Sequence, residues 1–414
     1  MEIHGDLNCH NSKAHKIALF ILNFPLIWSA TGMFWFPKGV NYVPPLVIAA
    51  FISSFFVFGF KGVLRHLKTN LFALLVFAIS AYNIFQYQYH GSSSQELRAF
   101  ITCFVFVVCF NRMVLKRKHI FALIFVASCG VLVTTGIQSF YFSISRAHGF
   151  INPIVFATYC ASIAVMCFCI FLHLKNFKSG KLFFVLFLLL IISTLLTGSR
   201  GVWLALATSV VIISSFKFKR SMLSPKKTIA VLSLAILIFA IILYPLIIKR
   251  IQKTTFQLKQ IKSGEMNNSI GARIQLWSSA IELAVISPVL GLGDSHSTEL
   301  HNLYLKGAIN KKVLQYTHYH NIFLDTLVKK GIIGLILLLA LYIYPLIVSI
   351  RNTNSSWRKD ISLGLFIIYL VSGLTDVPMN HDKTIYLYVF FILAVAFPIG
   401  QKNGLCLENS GIGS

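Results

Sequence analysis

Along most of this chain apolar residues do not alternate with polar ones; they run in long blocks separated by short basic connections. A helix needs roughly 17–25 apolar residues to cross a bilayer, and it satisfies all its backbone groups within one segment. Twelve stretches are predicted to span, at about 17–35, 44–60, 70–88, 98–111, 119–142, 153–173, 182–197, 202–216, 229–247, 331–350, 361–376 and 384–399. Apart from their terminal residues they hold no Asp, Glu, Lys or Arg. That is what a cost of about 2.5–3.5 kcal/mol for each central charge selects. The stretches 98–111 and 202–216 are the shortest.

One interval, 248–330, breaks the pattern and is long and hydrophilic. Within it Ile270–Leu290 reads as an amphipathic helix, with Arg273, Trp277, Ala280, Ile281 and Ala284 at helical spacing and Pro288–Gly291 ending it. Asn321–Lys330 reads as another, with Asn321 as its N-cap and Gly331 as an end or kink before the tenth span. The expected architecture is an all-α polytopic membrane protein of about twelve transmembrane helices with one large loop containing amphipathic helices. Its parts are a nine-span membrane unit (1–247), the loop (248–330) and a three-span unit with a tail (331–414).

Composition agrees: of 414 residues 56% are hydrophobic and only 12% charged, against roughly 25% charged in a soluble chain. A soluble enzyme is excluded. The charge that remains is lopsided, 37 Lys and Arg against 12 Asp and Glu, a net +25. Such a balance could signal nucleic acid, but the positions point elsewhere. With a cytoplasmic N-terminus, 21 of the cations fall on cytoplasmic segments and five on the short outside connections. The positive-inside rule then puts both termini in the cytoplasm, so no nucleic-acid partner is needed. None of the eight cysteines lies in an outside loop, so no disulfide is expected there. A polar head of sixteen residues precedes the first span without a convincing cleavage site, which suggests an anchor rather than a cleaved leader.

The outside face is poor in acids. No Asp-x-Asp or Glu-x-Asp pair occurs and the connection 36–43 holds no carboxylate, so acidic metal chemistry and a glycosidase-type carboxylate pair are both disfavoured. No cofactor is expected. What the face offers is arginine and histidine. The link Thr197-Gly198-Ser199-Arg200-Gly201 is a tight turn that presents Arg200 at the membrane surface. Arg200 reads either as a side chain snorkelling to lipid phosphates or as a fork for a phosphate ligand. Arg273, and more weakly Arg146 in Ser145-Arg146-Ala147-His148-Gly149, carry the same choice between a solvated face and an anion site. In Thr317-His318-Tyr319-His320-Asn321 the two histidines are ordinary surface residues, the beginnings of a metal site without a visible third ligand, or a general base.

Transfer of a glycan from a lipid diphosphate to a hydroxyl needs these groups and little else. The leaving group is already a weak base, cations can stabilise its growing charge, and one base serves the attacking hydroxyl. Here the sequence resembles a known superfamily. Thr197–Leu204 contains Arg-x3-Leu, and His320-Asn321-Ile322-Phe323-Leu324 contains His-x10-Gly ending at Gly331; together they resemble signatures of the O-antigen ligase and polymerase superfamily. Arg273-Ile274-Gln275-Leu276-Trp277, Pro288–Gly293 and Gly149–Pro153 are similar to its outer-loop elements, and the order of all five matches. Length and motif pairing look most like the O-antigen ligase (WaaL) branch. That resemblance implies a GT-C-like membrane glycosyltransferase of the bacterial inner membrane, active on the periplasmic face. It implies transfer from undecaprenyl-diphosphate-linked O-antigen to a lipid A-core acceptor, inverting and without metal. By position His320 would be the base and Arg200 and Arg273 the diphosphate clamp, with His318, Asn321 and Arg146 as further substrate contacts. An O-antigen polymerase or protein O-oligosaccharyltransferase of the same superfamily remains an alternative, as does a flippase. The last expects ionisable residues inside the spans, where this sequence has none.

Overall fold

A computed structural model describes residues 13–110, 115–174, 177–218, 251–352 and 355–397, with positions 244 and 248. The ninth predicted span, 229–247, lies outside the described residues apart from Tyr244. Each of the other eleven falls on a helix. These are α1 (Lys13–Ala30), α2 (Val43–Thr69), α3 (Leu71–His90), α4 (Ser94–Cys109), α5 (Arg117–Gly136), α6 (Pro153–His173), α7 (Phe177–Leu196) and α8 (Arg200–Phe218). After the loop region come α11 (Ile322–Asn352), α12 (Ser356–Gly373) and α13 (Asp382–Ala396); the loop itself carries α9 (Ser269–Ala284) and α10 (His296–Leu305). Six helical segments are long and apolar enough to cross a membrane by themselves: Gly39–Lys68, Leu71–His90, Arg117–Tyr141, Pro153–His173, Lys178–Leu196 and Ile322–Arg351. The protein is an all-α polytopic membrane protein, and no strand occurs among the described residues.

Helix starts follow local chemistry. The Asn70 side chain accepts from the Phe72 and Ala73 amides at 3.1 and 3.3 Å. Asn152 accepts from the Ile154 amide at 2.8 Å just before Pro153, whose missing N–H costs nothing in a first turn. The bundle is built around α6, which is buried at every position from Val155 to Ile170. A helix apolar on all sides belongs at the centre. Around it, Phe56, Phe77, Leu74, Phe125, Val185 and Leu204 point outward and are exposed, as lipid-facing positions would be.

Connections segregate by end. At one end Arg117 donates to the His173 carbonyl and His173 Nε2 lies 2.6 Å from Asp360 Oδ2, joining segments assigned to one side by their charge. Described connections assigned to the other side meet one another at the opposite end. There Gln138 binds the 148–149 backbone, Ala147 donates to the Leu196 carbonyl, and Asn380 Nδ2 donates to Asp325 Oδ2 at 2.6 Å.

At that end α9 and α10 pack with the segment 309–328 around a small apolar core that includes Leu276, Leu283, Leu300, Leu303, Val313, Tyr319 and Val328. The unit is moored to the membrane bundle by a polar edge on α3. Tyr82 OH donates to the Lys330 carbonyl at 2.7 Å, Gln86 Nε2 donates to the Leu290 carbonyl at 2.8 Å, and Lys330 Nζ pairs with Asn83 and Glu96. The amphipathic helix expected over Ile270–Leu290 ends at Ala284, and turns fill the remainder up to Pro288. Helix α10 was not foreseen, because its sequence HSTELHNLYL shows only a faint apolar face. The predicted Asn321–Lys330 helix does form, as the first part of α11, and a non-helical Gly331 (φ 62°) separates it from the membrane part.

Candidate active site

The segment 316–321 is fixed by its backbone before its side chains act. Tyr319 is buried; its amide donates to Asp325 Oδ1 at 3.1 Å, and its carbonyl accepts from Trp277 Nε1 at 3.0 Å. Asp325 is in turn held by Lys329 Nζ at 3.0 Å and Asn380 at 2.6 Å. Asn321 caps α11 as expected, its side chain accepting from the Phe323 and Leu324 amides at 3.0 and 3.3 Å. Between these anchors His320 adopts a left-handed backbone, φ 50°. Non-glycine residues avoid this region, and such outliers concentrate at functional sites.

The held backbone aims the His320 ring. It lies edge-on to Tyr316 and His318, with ring centroids 5.0 and 4.3 Å away, and its Nδ1 is 3.5 Å from Asp376 Oδ1. Beyond that carboxylate, His320 Nδ1 is buried with no hydrogen-bond partner among the described residues. A contact of 3.5 Å is long for a hydrogen bond, as resting-state catalytic contacts often are before substrate draws them in. Asp376 is 5% exposed and sits in the short connection between α12 and α13. The Nδ1 of His318 accepts from the His320 amide at 3.3 Å. Burial first, and the neighbouring His320 second, push the His318 pKa down to about 4. His381, across the connection from Asp376, is also lowered by burial, with Asp376 opposing.

Asp376 corrects one expectation. The sequence offered no third metal ligand beside the two histidines, yet His318, His320 and Asp376 bring ligand atoms within 4.8 Å of one another. Two imidazoles and one carboxylate are a donor set that suits a divalent transition ion.

The arginine turn reaches the same place by another route. Gly198 takes φ 70°, and Arg146 braces the link, its Nε donating to the Thr197 carbonyl at 2.9 Å and its Nη2 to Ser199 Oγ at 3.4 Å. Arg146 therefore spends two of its donors on the turn. Gly201 packs so closely on the α12–α13 connection that a Cβ there would lie 1.8 Å from Thr375 Oγ1, next to Asp376. Half-buried Arg200, at the start of α8, donates from Nη1 to Thr254 Oγ1 in the helical stretch 251–262.

Arg273 belongs to α9, whose N-cap Asn268 accepts from the Ile270 and Gly271 amides at 3.1 and 2.9 Å. It stands one helical turn before Trp277, on the same face, and Trp277 is the residue bonded to the Tyr319 carbonyl between the two histidines. The fold thus gathers His318, His320 and Asn321 directly, while Gly201, next to Arg200, meets Thr375 and Trp277, one turn after Arg273, meets Tyr319. Asp376 and the organising Asp325 were missed. Their signal was scarcity in the whole chain, which has only 12 acids.

Residues 185–339 match the family model described as O-antigen ligase, a segment that holds Arg200, Arg273, His318, His320 and Gly331 but neither Arg146 nor Asp376. A Haemophilus influenzae protein without an assigned function is 25% identical over 377 residues, 86% of this chain and 90% of its own. Two Rickettsia proteins carry the provisional name polysaccharide ligase. That of Rickettsia felis is 29% identical over 147 residues, 33% of this chain and 34% of its own; that of Rickettsia conorii is 26% identical over 281 residues, 64% and 62%. The chain spans about one third and under two thirds of those two relatives. Residues 185–339, which carry both arginines and the histidine pair, are therefore the part of the chain that is similar to the O-antigen ligase family.

Proposed function

We propose that this protein is a glycosyltransferase of the O-antigen ligase type. It moves a polysaccharide from undecaprenyl diphosphate to a sugar hydroxyl of lipid A-core, on the periplasmic face of the inner membrane with both termini in the cytoplasm. The observation that carries the reading is the His320–Asp376 pair, set 3.5 Å apart where the arginine turn and the Trp277–Tyr319 contact also converge. His320 takes the proton of the attacking hydroxyl as that oxygen bonds to the anomeric carbon. The bond from the anomeric carbon to the diphosphate oxygen breaks, and its electron pair leaves with the lipid diphosphate. Asp376 orients the imidazole and stabilises the imidazolium that forms. Arg200 and Arg273 hold the diphosphate as its charge grows. Direct displacement inverts the anomeric centre, and the step needs neither ATP nor metal.

Arg146 supports the clamp by shaping the 197–199 turn, and Asn321 and His318 fix the base. The domain boundaries proposed from sequence, 1–247, 248–330 and 331–414, place the arginine turn and the histidines in separate units that meet at the site.

Purified protein supplied with lipid-linked O-antigen and lipid A-core should transfer glycan with EDTA present and no ATP. His320→Ala should abolish transfer while leaving expression and melting unchanged; transfer at the wild-type rate would sink the assignment. A second reading follows from the same three side chains: if EDTA abolishes transfer and zinc or manganese restores it, His318, His320 and Asp376 are a metal centre instead. Lipopolysaccharide capped with single repeats in a deletion strain, rather than bare core, would assign a polymerase. A protein that binds the lipid diphosphate without turnover would be a transporter.

A further inference from the structure

Behind the histidine segment lies a cavity of about 590 Å³, bounded by the α3–α4 connection, the start of α10, the first part of α11 and the α12–α13 connection. That volume falls within the range of about 300–1,000 Å³ typical of small-molecule sites. Arg200, Arg273 and His320 do not line it; Tyr316 and His318, the two rings that flank His320, do. It therefore meets the base from a side that neither arginine shares.

Its charges are already spent. Lys329 pairs with Asp325 at 3.0 Å and Lys330 pairs with Glu96, so neither ammonium is available for a phosphate. Asp294, exposed at the cavity edge, leaves the wall with a negative remainder. The rest of the polar lining is hydroxyl, amide and imidazole, from Ser92, Gln95, Ser297, Thr317 and Asn380 among others. Ser92 Oγ is buried without a hydrogen-bond partner among the described residues. Such a wall suits the many hydroxyls of a saccharide and repels a phosphate.

We infer that this cavity is the acceptor subsite, and that it takes an uncharged or amino-sugar portion of the acceptor glycan, not a phosphorylated one. The inference rests on the transfer reaction proposed above. The acceptor enters between the α3–α4 connection and α10, and its reactive hydroxyl reaches His320 past Tyr316 and His318. The donor diphosphate stays with the arginines, so the acceptor hydroxyl and the leaving diphosphate lie on opposite sides of the anomeric carbon, as in-line displacement requires.

The test is steady-state transfer by the full-length protein in detergent or nanodiscs, with lipid A-core used before and after phosphatase treatment. Ser297→Trp and Gln95→Trp fill the cavity from different elements. Each should raise the acceptor KM at least tenfold and leave the donor KM within twofold, and the dephosphorylated acceptor should be used at least as well by the wild type. Unchanged acceptor KM in both variants, or a strict need for acceptor phosphate, overturns the inference even though transfer itself persists. Absence of transfer by the wild type instead overturns the reaction proposed above. Should neither variant fold, hydrogen exchange decides: dephosphorylated core oligosaccharide must protect 92–96 and 294–301 in the wild-type protein, and no protection there refutes the subsite.

Discussion

Asp376 Oδ1 lies 3.5 Å from Nδ1 of His320, although 56 positions separate the two in sequence and the second sits on a strained left-handed backbone. A buried carboxylate facing one imidazole nitrogen fixes the ring and leaves the other nitrogen to take a proton. Asp376→Asn keeps the shape and removes the charge that stabilises the imidazolium. Transfer should fall by about 10²–10⁴-fold. The loss should appear in kcat, with donor KM little changed, and a variant retaining more than half the wild-type kcat would remove Asp376 from the mechanism.

Arg200 lies on the 197–201 turn and Arg146 braces it from another connection, and the two should respond differently to Lys. In the proposed mechanism the planar fork of Arg200 grips a diphosphate, and a lysine replaces two directed donors by one point charge. Arg200→Lys should lower kcat/KM for the lipid-linked donor by ten- to a hundredfold while the melting temperature holds. Arg146 donates to the Thr197 carbonyl and Ser199 Oγ, so Arg146→Lys should lower the melting temperature as well as activity. Equal loss of activity with equal loss of stability in both variants would make Arg200 another brace.

The start of α11 and its break show how far the sequence could be read. Asn321 and Gly331 were legible because capping and helix breaking are local chemistry written in adjacent residues. Spans were legible because the bilayer imposes a length on each apolar run. Helix α10 was not, since His296–Leu305 owes its helix to packing Leu300 and Leu303 into the small outer core rather than to its own periodicity. The Ile270–Leu290 helix was drawn too long because nothing local announces the stop at Ala284. Asp376 stands at the very end of the predicted span 361–376, where nothing local marks it. Its role depends on α12 and α13 delivering that connection to the histidine segment, a tertiary fact that no local pattern records.

Gly331 joins the outer unit to the tenth predicted span, and its geometry leaves no room for a side chain. Its φ is 62°, and a Cβ there would lie 2.1 Å from the Val289 carbonyl oxygen. Gly331→Ala should therefore cost at least about 1–3 kcal/mol. The damage should be confined to the join between 288–293 and α11. Faster hydrogen exchange over 286–293, with unchanged protection of α6, is the expected signature; a uniform loss of protection would mean the hinge is part of one cooperative unit.

His318 and His296 both have pKa values pushed down to about 4, in each case first by burial, then by His320 for His318 and by Lys329 for His296. The unfolded chain protonates a histidine near 6.5. Between pH 6.5 and 4 the unfolded state thus holds more protons than the folded state, and stability rises with pH across that window. The contribution of these histidines is complete above pH 6.5 and is lost as acid approaches pH 4. The outer unit should consequently loosen in mild acid before the apolar bundle does, and Trp277, bonded to the Tyr319 carbonyl, is placed to report it by fluorescence. His318→Gln removes one titrating group, so its melting curve should converge on the wild type as pH falls from 6.5 to 4.5. The change of slope is the readout, because a constant offset would reflect only altered packing. Curves that stay parallel down to pH 4.5 would show that His318 is protonated alike in the folded and unfolded chains, and that the histidine segment is open to water at the proposed site.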